Sequence, residues 1–121
     1  FERGTSVDYN GRRDIFISGT ASIDSNGKIL YHGDIMKQTE RVVENVAALL
    51  KNADADFSNV MHIVVYLRDI GDYTAVKQYF ALHFPDIPTV ITYAPVCRPG
   101  WLVEIECMAI KPQFAPQYPR Y

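Results

Sequence analysis

The sequence predicts an α+β fold in which one sheet of about six strands carries two helices on one face. Two periodicities say so. Apolar and polar residues alternate over Met61–Arg68 and Leu102–Ile110, as strands with one buried face require. Apolar residues recur at helical spacing over Ile35–Leu50, as an amphipathic helix requires. Turn residues separate these runs, at Asn10-Gly11, Asp24-Ser25-Asn26-Gly27 and Pro85. At 121 residues, 48% hydrophobic and 21% charged, the chain suffices for one domain with a modest core.

Taken in order, Thr5–Tyr9 reads as a short strand that Asn10-Gly11 turns into a second strand, Asp14–Thr20. Gly19 there marks a bulge or a close backbone approach. The 24–27 turn leads to a third short strand at Lys28–Tyr31. Asp34 is placed to cap a helix, its carboxylate accepting from first-turn amides. Ile35, Thr39, Val42, Val43, Val46, Leu49 and Leu50 form the apolar face of that helix, which runs to about Asn52 or Ala53. After the strand at 61–67, a second helix spans Tyr73–His83, buries Val76, Tyr79 and Phe80, and is stopped by Pro85. Thr89–Tyr93 and Leu102–Ile110 are the last strands. The domain is expected to cover residues 1–111, with residues 112–121 as an irregular tail rich in proline and aromatic side chains.

This order, β-β-β-α-β-α-β-β, has too few helices to cover both faces of the sheet. The uncovered face would carry Phe16, Val64, Tyr66, Met108 and Ile110 among His62, Arg68, Glu104 and Glu106. So much apolar surface is unusual on a monomer, and self-association around a symmetry axis is expected.

Composition excludes several function classes. A formal charge of -2 and a pI of about 5.9 leave no electrostatic footprint for nucleic acid. No run approaches the roughly 18 apolar residues of a membrane span, and no signal-peptide pattern opens the chain. No membrane partner and no nucleic-acid partner are therefore expected. His32, His62 and His83 lie far apart without metal-ligand spacing, so no metal is assigned, and no glycine loop implies a phosphate-bearing cofactor. Cys97 and Cys107 lie on or beside one strand, about 30 Å apart if it is extended, beyond disulfide reach. Free thiols suggest a reducing, cytoplasmic location. The first residue is Phe1, as in a processed chain or an excised domain.

Chemistry concentrates near the end, in Cys97-Arg98-Pro99-Gly100-Trp101-Leu102-Val103-Glu104-Ile105-Glu106. On a strand Glu104 and Glu106 share a face, while Val103, Ile105, Cys107 and Ala109 take the other. Two acids soon after an arginine suit a proton donor beside an anionic substrate. A solvated or subunit-facing surface with ordinary ion pairs is the competing reading. Glu104 is the candidate catalytic acid/base and Arg98 the candidate anion clamp. Glu106 is read as structural, paired with Arg68 or Arg3. Tyr9, Ser18, Thr20 and Trp101 are candidates to line the cleft, with core or subunit contact as the alternative. Neither cysteine has an evident base beside it, and Cys107 belongs to the core face.

Several strings together resemble the RidA/YjgF family. They are Phe16-Ile17-Ser18-Gly19-Thr20-Ala21-Ser22-Ile23-Asp24, Gly33-Asp34-Ile35, Gln38-Thr39 with Asn45, Val60–Asp69 followed by Asp72-Tyr73, and Val103-Glu104-Ile105-Glu106. The likeness covers about residues 5–111. It implies a chorismate mutase-like fold, a homotrimer, and clefts between subunits that bind a small-molecule carboxylate. It also implies hydrolysis of amino-acid-derived enamines and imines, with a glutamate on the last strand positioning water and an arginine holding the carboxylate. Gap-free alignment puts Glu104 on that glutamate and Thr89, after Pro88, on that arginine. A threonine hydroxyl lacks the charged, two-pronged guanidinium. Cys97-Arg98 with Leu102–Glu106, and Phe1-Glu2-Arg3-Gly4-Thr5, resemble instead the C-terminal half of chorismatases, in which a glutamate protonates an enol-ether carbon and arginines bind carboxylates. The readings are thus a hydrolase of an enamine, imine or enol ether, a non-catalytic metabolite-binding or regulatory trimer, and, against the acidic pI, a ribonuclease or translation inhibitor.

Overall fold

The computed structural model describes residues 4–94 and 100–121. Its elements are β1 (Gly4–Asp8), β2 (Arg12–Ala21), α1 (Ile35–Asn52), β3 (Val60–Leu67), α2 (Tyr73–His83), β4 (Thr89–Tyr93) and β5 (Val103–Pro112), with single 3₁₀ turns at Phe57–Asn59 and Ile70–Asp72. The strands form one sheet in the order β1-β2-β5-β3-β4, antiparallel except for the parallel β3–β4 pair that α2 connects. This is the α+β architecture expected, with five strands rather than six.

The missing strand is the one expected at 28–31. Ser22 and Asp24 use their side chains to satisfy the backbone there. Asp24 accepts from the amides of Asn26 and Lys28, and the Ser22 hydroxyl donates to the Leu30 carbonyl. One bridge, Ile23 to Ile29, is all the ladder that forms. Local side-chain bonding of this kind competes with sheet pairing.

Helix α1 begins as its sequence dictates, with Asp34 accepting from the Lys37 amide at 3.0 Å. Its inner face buries Val42, Val46 and Leu50 against Ile15, Ile17, Val103 and Ile105. Helix α2 adds Val76 and Phe80, and Phe84 packs on Phe57 with ring centroids 4.6 Å apart. Both helices lie on the face that also holds Ile63, Val65, Cys107 and Ala109.

Two amide side chains of α1 are tied to backbone. Gln38, fully buried, donates from Nε2 to the carbonyls of Tyr31 and Gly100 and accepts at Oε1 from the Leu102 amide, at 2.9–3.1 Å. Two turns along, Asn45 donates to the carbonyls of Ala21 and Ile23. Gly100 is hemmed in, since a Cβ there would lie 2.8 Å from the His32 ring and 2.9 Å from Ile29. The residues after β5 pack on the chain's own first hairpin. Gln113 reaches Asp8, Tyr9 and Arg12, and Ala115 is buried with its amide on the Asn10 carbonyl.

Burial pushes the Cys107 thiol up to about 11. At pH 8 this cuts its thiolate fraction roughly a hundredfold relative to an ordinary cysteine, before access is counted. Two outcomes are expected. Gln38→Ala, which strips two carbonyls and an amide of their partner, should lower stability by about 2–4 kcal/mol in urea unfolding; a loss under 0.5 kcal/mol would refute the tie. Iodoacetamide at pH 8 should leave Cys107 unmodified in peptide mass spectra of the native chain and alkylate it after denaturation. Because its folded value is raised, Cys107 stabilises the fold fully below the unfolded thiol value, and that contribution is lost as pH rises to about 11.

Candidate functional site

The sheet's second face carries no helix among the described residues. Register fixes who meets whom there: Glu104 faces Ala21 of β2 on one side and Tyr66 of β3 on the other, Glu106 faces Val64, and Met108 faces Phe16 and His62. Strand alternation therefore gathers Tyr66, Glu104 and Glu106 on one surface, as the sequence indicated. Phe16 is 45% exposed on this face and Val90, on the edge strand, 60%.

The two acids differ in surroundings. Glu104 is only 8% exposed. Glu106 is half-buried and accepts a 2.6 Å hydrogen bond from the Tyr66 hydroxyl. The sequence suggested Arg68 or Arg3 as its partner; the bond the structure gives it is to Tyr66, and Arg3 lies outside the described residues. The bond to Glu106 raises the Tyr66 phenol above its ordinary value, with burial and the charges of Glu106 and Glu104 adding to it. The phenol is thereby kept as a donor.

Beside these groups β2 bulges. Its register shifts between Ile17 and Thr20, and Gly19 there has φ +51°, the left-handed conformation that glycine supplies at a bulge. Ser18 is left exposed, while Thr20 is buried with its hydroxyl on the Ser18 carbonyl.

Trp101 is buried in a small cluster with Ala21 and Ile23, against which Tyr66 packs. Its carbonyl accepts a 2.8 Å bond from Arg68 Nε. Arg68 was read as a structural partner on the face of Tyr66 and Glu104, and alternation keeps it on that face. The i, i+2 spacing of Tyr66 and Arg68 was the available signal.

Other sequence candidates stand apart from Glu104 within the chain. Tyr9 lies at the far end of the first hairpin, its ring 4.3 Å below the Arg12 guanidinium. Arg12 pairs with Pro112, eight positions along β5 from Glu104. Thr89 pairs with Ile63, on the helix-covered face, and its hydroxyl donates to the Ile87 carbonyl. Arg98 and Cys97 lie outside the described residues. No helix is long and apolar enough to cross a membrane among the described residues.

Comparison with known proteins gives the family. Residues 6–111 match the family model for endoribonuclease L-PSP. The chain is 36% identical over 104 residues to the 2-iminobutanoate/2-iminopropanoate deaminase of Capra hircus, covering 82% of this chain and 74% of that protein. It is 30% identical over 97 residues to the 3-aminoacrylate deaminase RutC of Acinetobacter baylyi, covering 78% and 77%. Among solved structures, a chorismatase superposes with a TM-score of 0.82 at 27% identity, over 90% of this chain but 36% of the chorismatase. The sheet order, the bulged serine-glycine strand and the acidic last strand thus belong to a chain of the RidA/YjgF family, the group that the endoribonuclease L-PSP model describes.

Proposed function

We propose that this chain hydrolyses a small carboxylate-bearing enamine, imine or enol ether in clefts between the subunits of a homotrimer. The observation that carries the proposal is Glu104, an acid 8% exposed on the uncovered face of the sheet, between Ala21 and Tyr66. A carboxylate kept from bulk water, yet facing where a neighbour would pack, is suited to moving protons. The names of the deaminase relatives support the class of substrate.

With an imine, the Glu104 carboxylate takes a proton from water as the oxygen attacks the imine carbon. It returns that proton to nitrogen to give a carbinolamine; the carboxylate then takes the carbinolamine's hydroxyl proton and passes it to nitrogen as the carbonyl forms, the carbon–nitrogen bond breaks, and a 2-oxo acid and ammonia leave. With an enamine or enol ether, Glu104 in its acid form first protonates the β-carbon, and water then adds to the cationic carbon. Arg98 holds the carboxylate in this reading. The uncovered apolar residues Phe16, Val64, Met108 and Ile110 supply the surface that subunits bury against one another.

A second reading, a metabolite-binding trimer without chemistry, draws on Thr89, which the register turns away from the Glu104 face. The same experiment separates the two. Purified chain is given enzymatically generated 2-iminobutanoate, and ammonia is measured. Glu104→Gln should lower the rate about 100-fold or more with an unchanged melting temperature, and an unchanged rate would remove Glu104 from the mechanism. Wild-type chain that binds 2-oxobutanoate without releasing ammonia would favour the binding reading. Light scattering should give three times the 13.7 kDa of one chain, and a monomer would end the shared-cleft proposal.

A further inference from the structure

We infer that this chain has a second binding site, for a small aliphatic amino acid, in the groove between α1 and the 24–27 turn. The site is independent of the proposed hydrolysis, because the groove lies on the helix-covered side of the sheet and Glu104 belongs to the other side.

A cavity of about 560 Å³ opens in this groove, a size that suits a small metabolite. Ile23 and Asp24 form one wall, and Arg41, Asn45, Ala48 and Leu49 form the other. Those four stand at i, i+4, i+7 and i+8 of α1 and so share one helix face. Arg41 is loosely tied. Its Nη1 lies 3.4 Å from Glu44, a side chain 67% exposed, and its Nη2 lies 3.5 Å from the Ile23 carbonyl. Its Nε is shielded from water and has no hydrogen-bond partner among the described residues. Exposed ion pairs hold weakly, so a guanidinium with five donors keeps most of its capacity for a ligand. Asn45 is the opposite case. Its Nδ2 donates to the carbonyls of Ala21 and Ile23 at 3.0 and 3.2 Å, which fixes the side chain and spends both of its donors. What Asn45 has left for the groove is Oδ1, an oriented acceptor.

The charges choose the ligand class. Arg41 calls for a carboxylate, while the Asp24 carboxylate and Asn45 Oδ1 call for a donor such as an ammonium group. Asp24 is held in place, because its Oδ1 accepts from the amides of Asn26 and Lys28 at 2.8 and 2.9 Å. A free anion would meet Asp24 and a free amine would meet Arg41. An α-amino acid answers both at once with a single head group. Ile23, Ala48 and Leu49 supply an apolar wall for its aliphatic side chain.

Calorimetric titration of the purified chain tests the site with L-leucine, with L-leucinamide, which lacks the carboxylate, and with 4-methylpentanoate, which lacks the ammonium group. L-Leucine should bind about tenfold or more tighter than either. Arg41→Gln should weaken L-leucine about tenfold or more and L-leucinamide far less, and Arg41→Lys should recover part of the loss. Ala48 is exposed on α1, so Ala48→Trp should fill the groove, leave the fold and Arg41 in place, and abolish L-leucine binding. Glu104→Gln should bind L-leucine as wild type does. Four results would overturn the inference: no binding of L-leucine to wild type, wild-type affinity in Arg41→Gln or Ala48→Trp, equal affinities for L-leucine and 4-methylpentanoate, or binding lost in Glu104→Gln, which would put the amino acid in the other cleft.

Discussion

The arrangement around Glu104 depends on two amide side chains of α1. Gln38 and Asn45 stand seven residues apart on the same helix face, and each reaches past the apolar core to backbone. Gln38 holds Gly100 and Leu102, just before β5, while Asn45 holds Ala21 and Ile23, where β2 ends. Ala21 is the residue opposite Glu104, and Leu102 lies two positions before it. Both strands that set the backbone of the acid are thus pinned to one rigid helix. An apolar residue at 38 could fill the volume but would leave the Gly100 carbonyl and the Leu102 amide unanswered, at about 1–3 kcal/mol for each buried group. Glutamine offers donors and an acceptor together, which this place requires.

The two faces of the sheet divide the chain's tasks. The helix-covered face is packed with Ile15, Ile17, Val65, Val103 and Ile105 and supplies most of the stability through buried apolar area. The other face is spared that duty and can carry acids. Strand alternation couples the two, because placing Val103, Ile105 and Cys107 inward obliges Glu104 and Glu106 to face outward together. A one-residue slip of β5 would bury both carboxylates under the helices, so the core that stabilises the fold also protects the register of the site.

Much of this was legible in the sequence where one local force dominates. The Asp34 cap, the helix from 35 to 52, the Gly19 bulge and the shared face of Glu104 and Glu106 follow from periodicity, capping and glycine conformation. The strand expected at 28–31 failed because Ser22 and Asp24 compete for its backbone, a contest that apolar alternation does not register. Distances across the sheet were also invisible. Nothing in the spacing of Tyr9 or Thr89 reveals that one lies at the far end of the first hairpin from Glu104 and the other on the opposite face.

Tyr66 explains how two neighbouring glutamates come to differ. Residues two apart on a strand put their side chains about 7 Å from one another, so the two carboxylates stand side by side on one face without touching. The phenol opposite Glu104 leans along the strand to Glu106 and gives that carboxylate a short hydrogen bond. Breaking this bond would strip a half-buried acid of its donor, which ties Glu106 to a structural task. Glu104 is the more deeply buried of the pair, and its cross-strand partner is already engaged with its neighbour. Identical functional groups thereby acquire different surroundings from burial and hydrogen bonding alone, the condition under which paired carboxylates divide acid and base work elsewhere. In this chain the dividing residue is Tyr66 on β3, the cross-strand partner of Glu104 and the hydrogen-bond donor to Glu106.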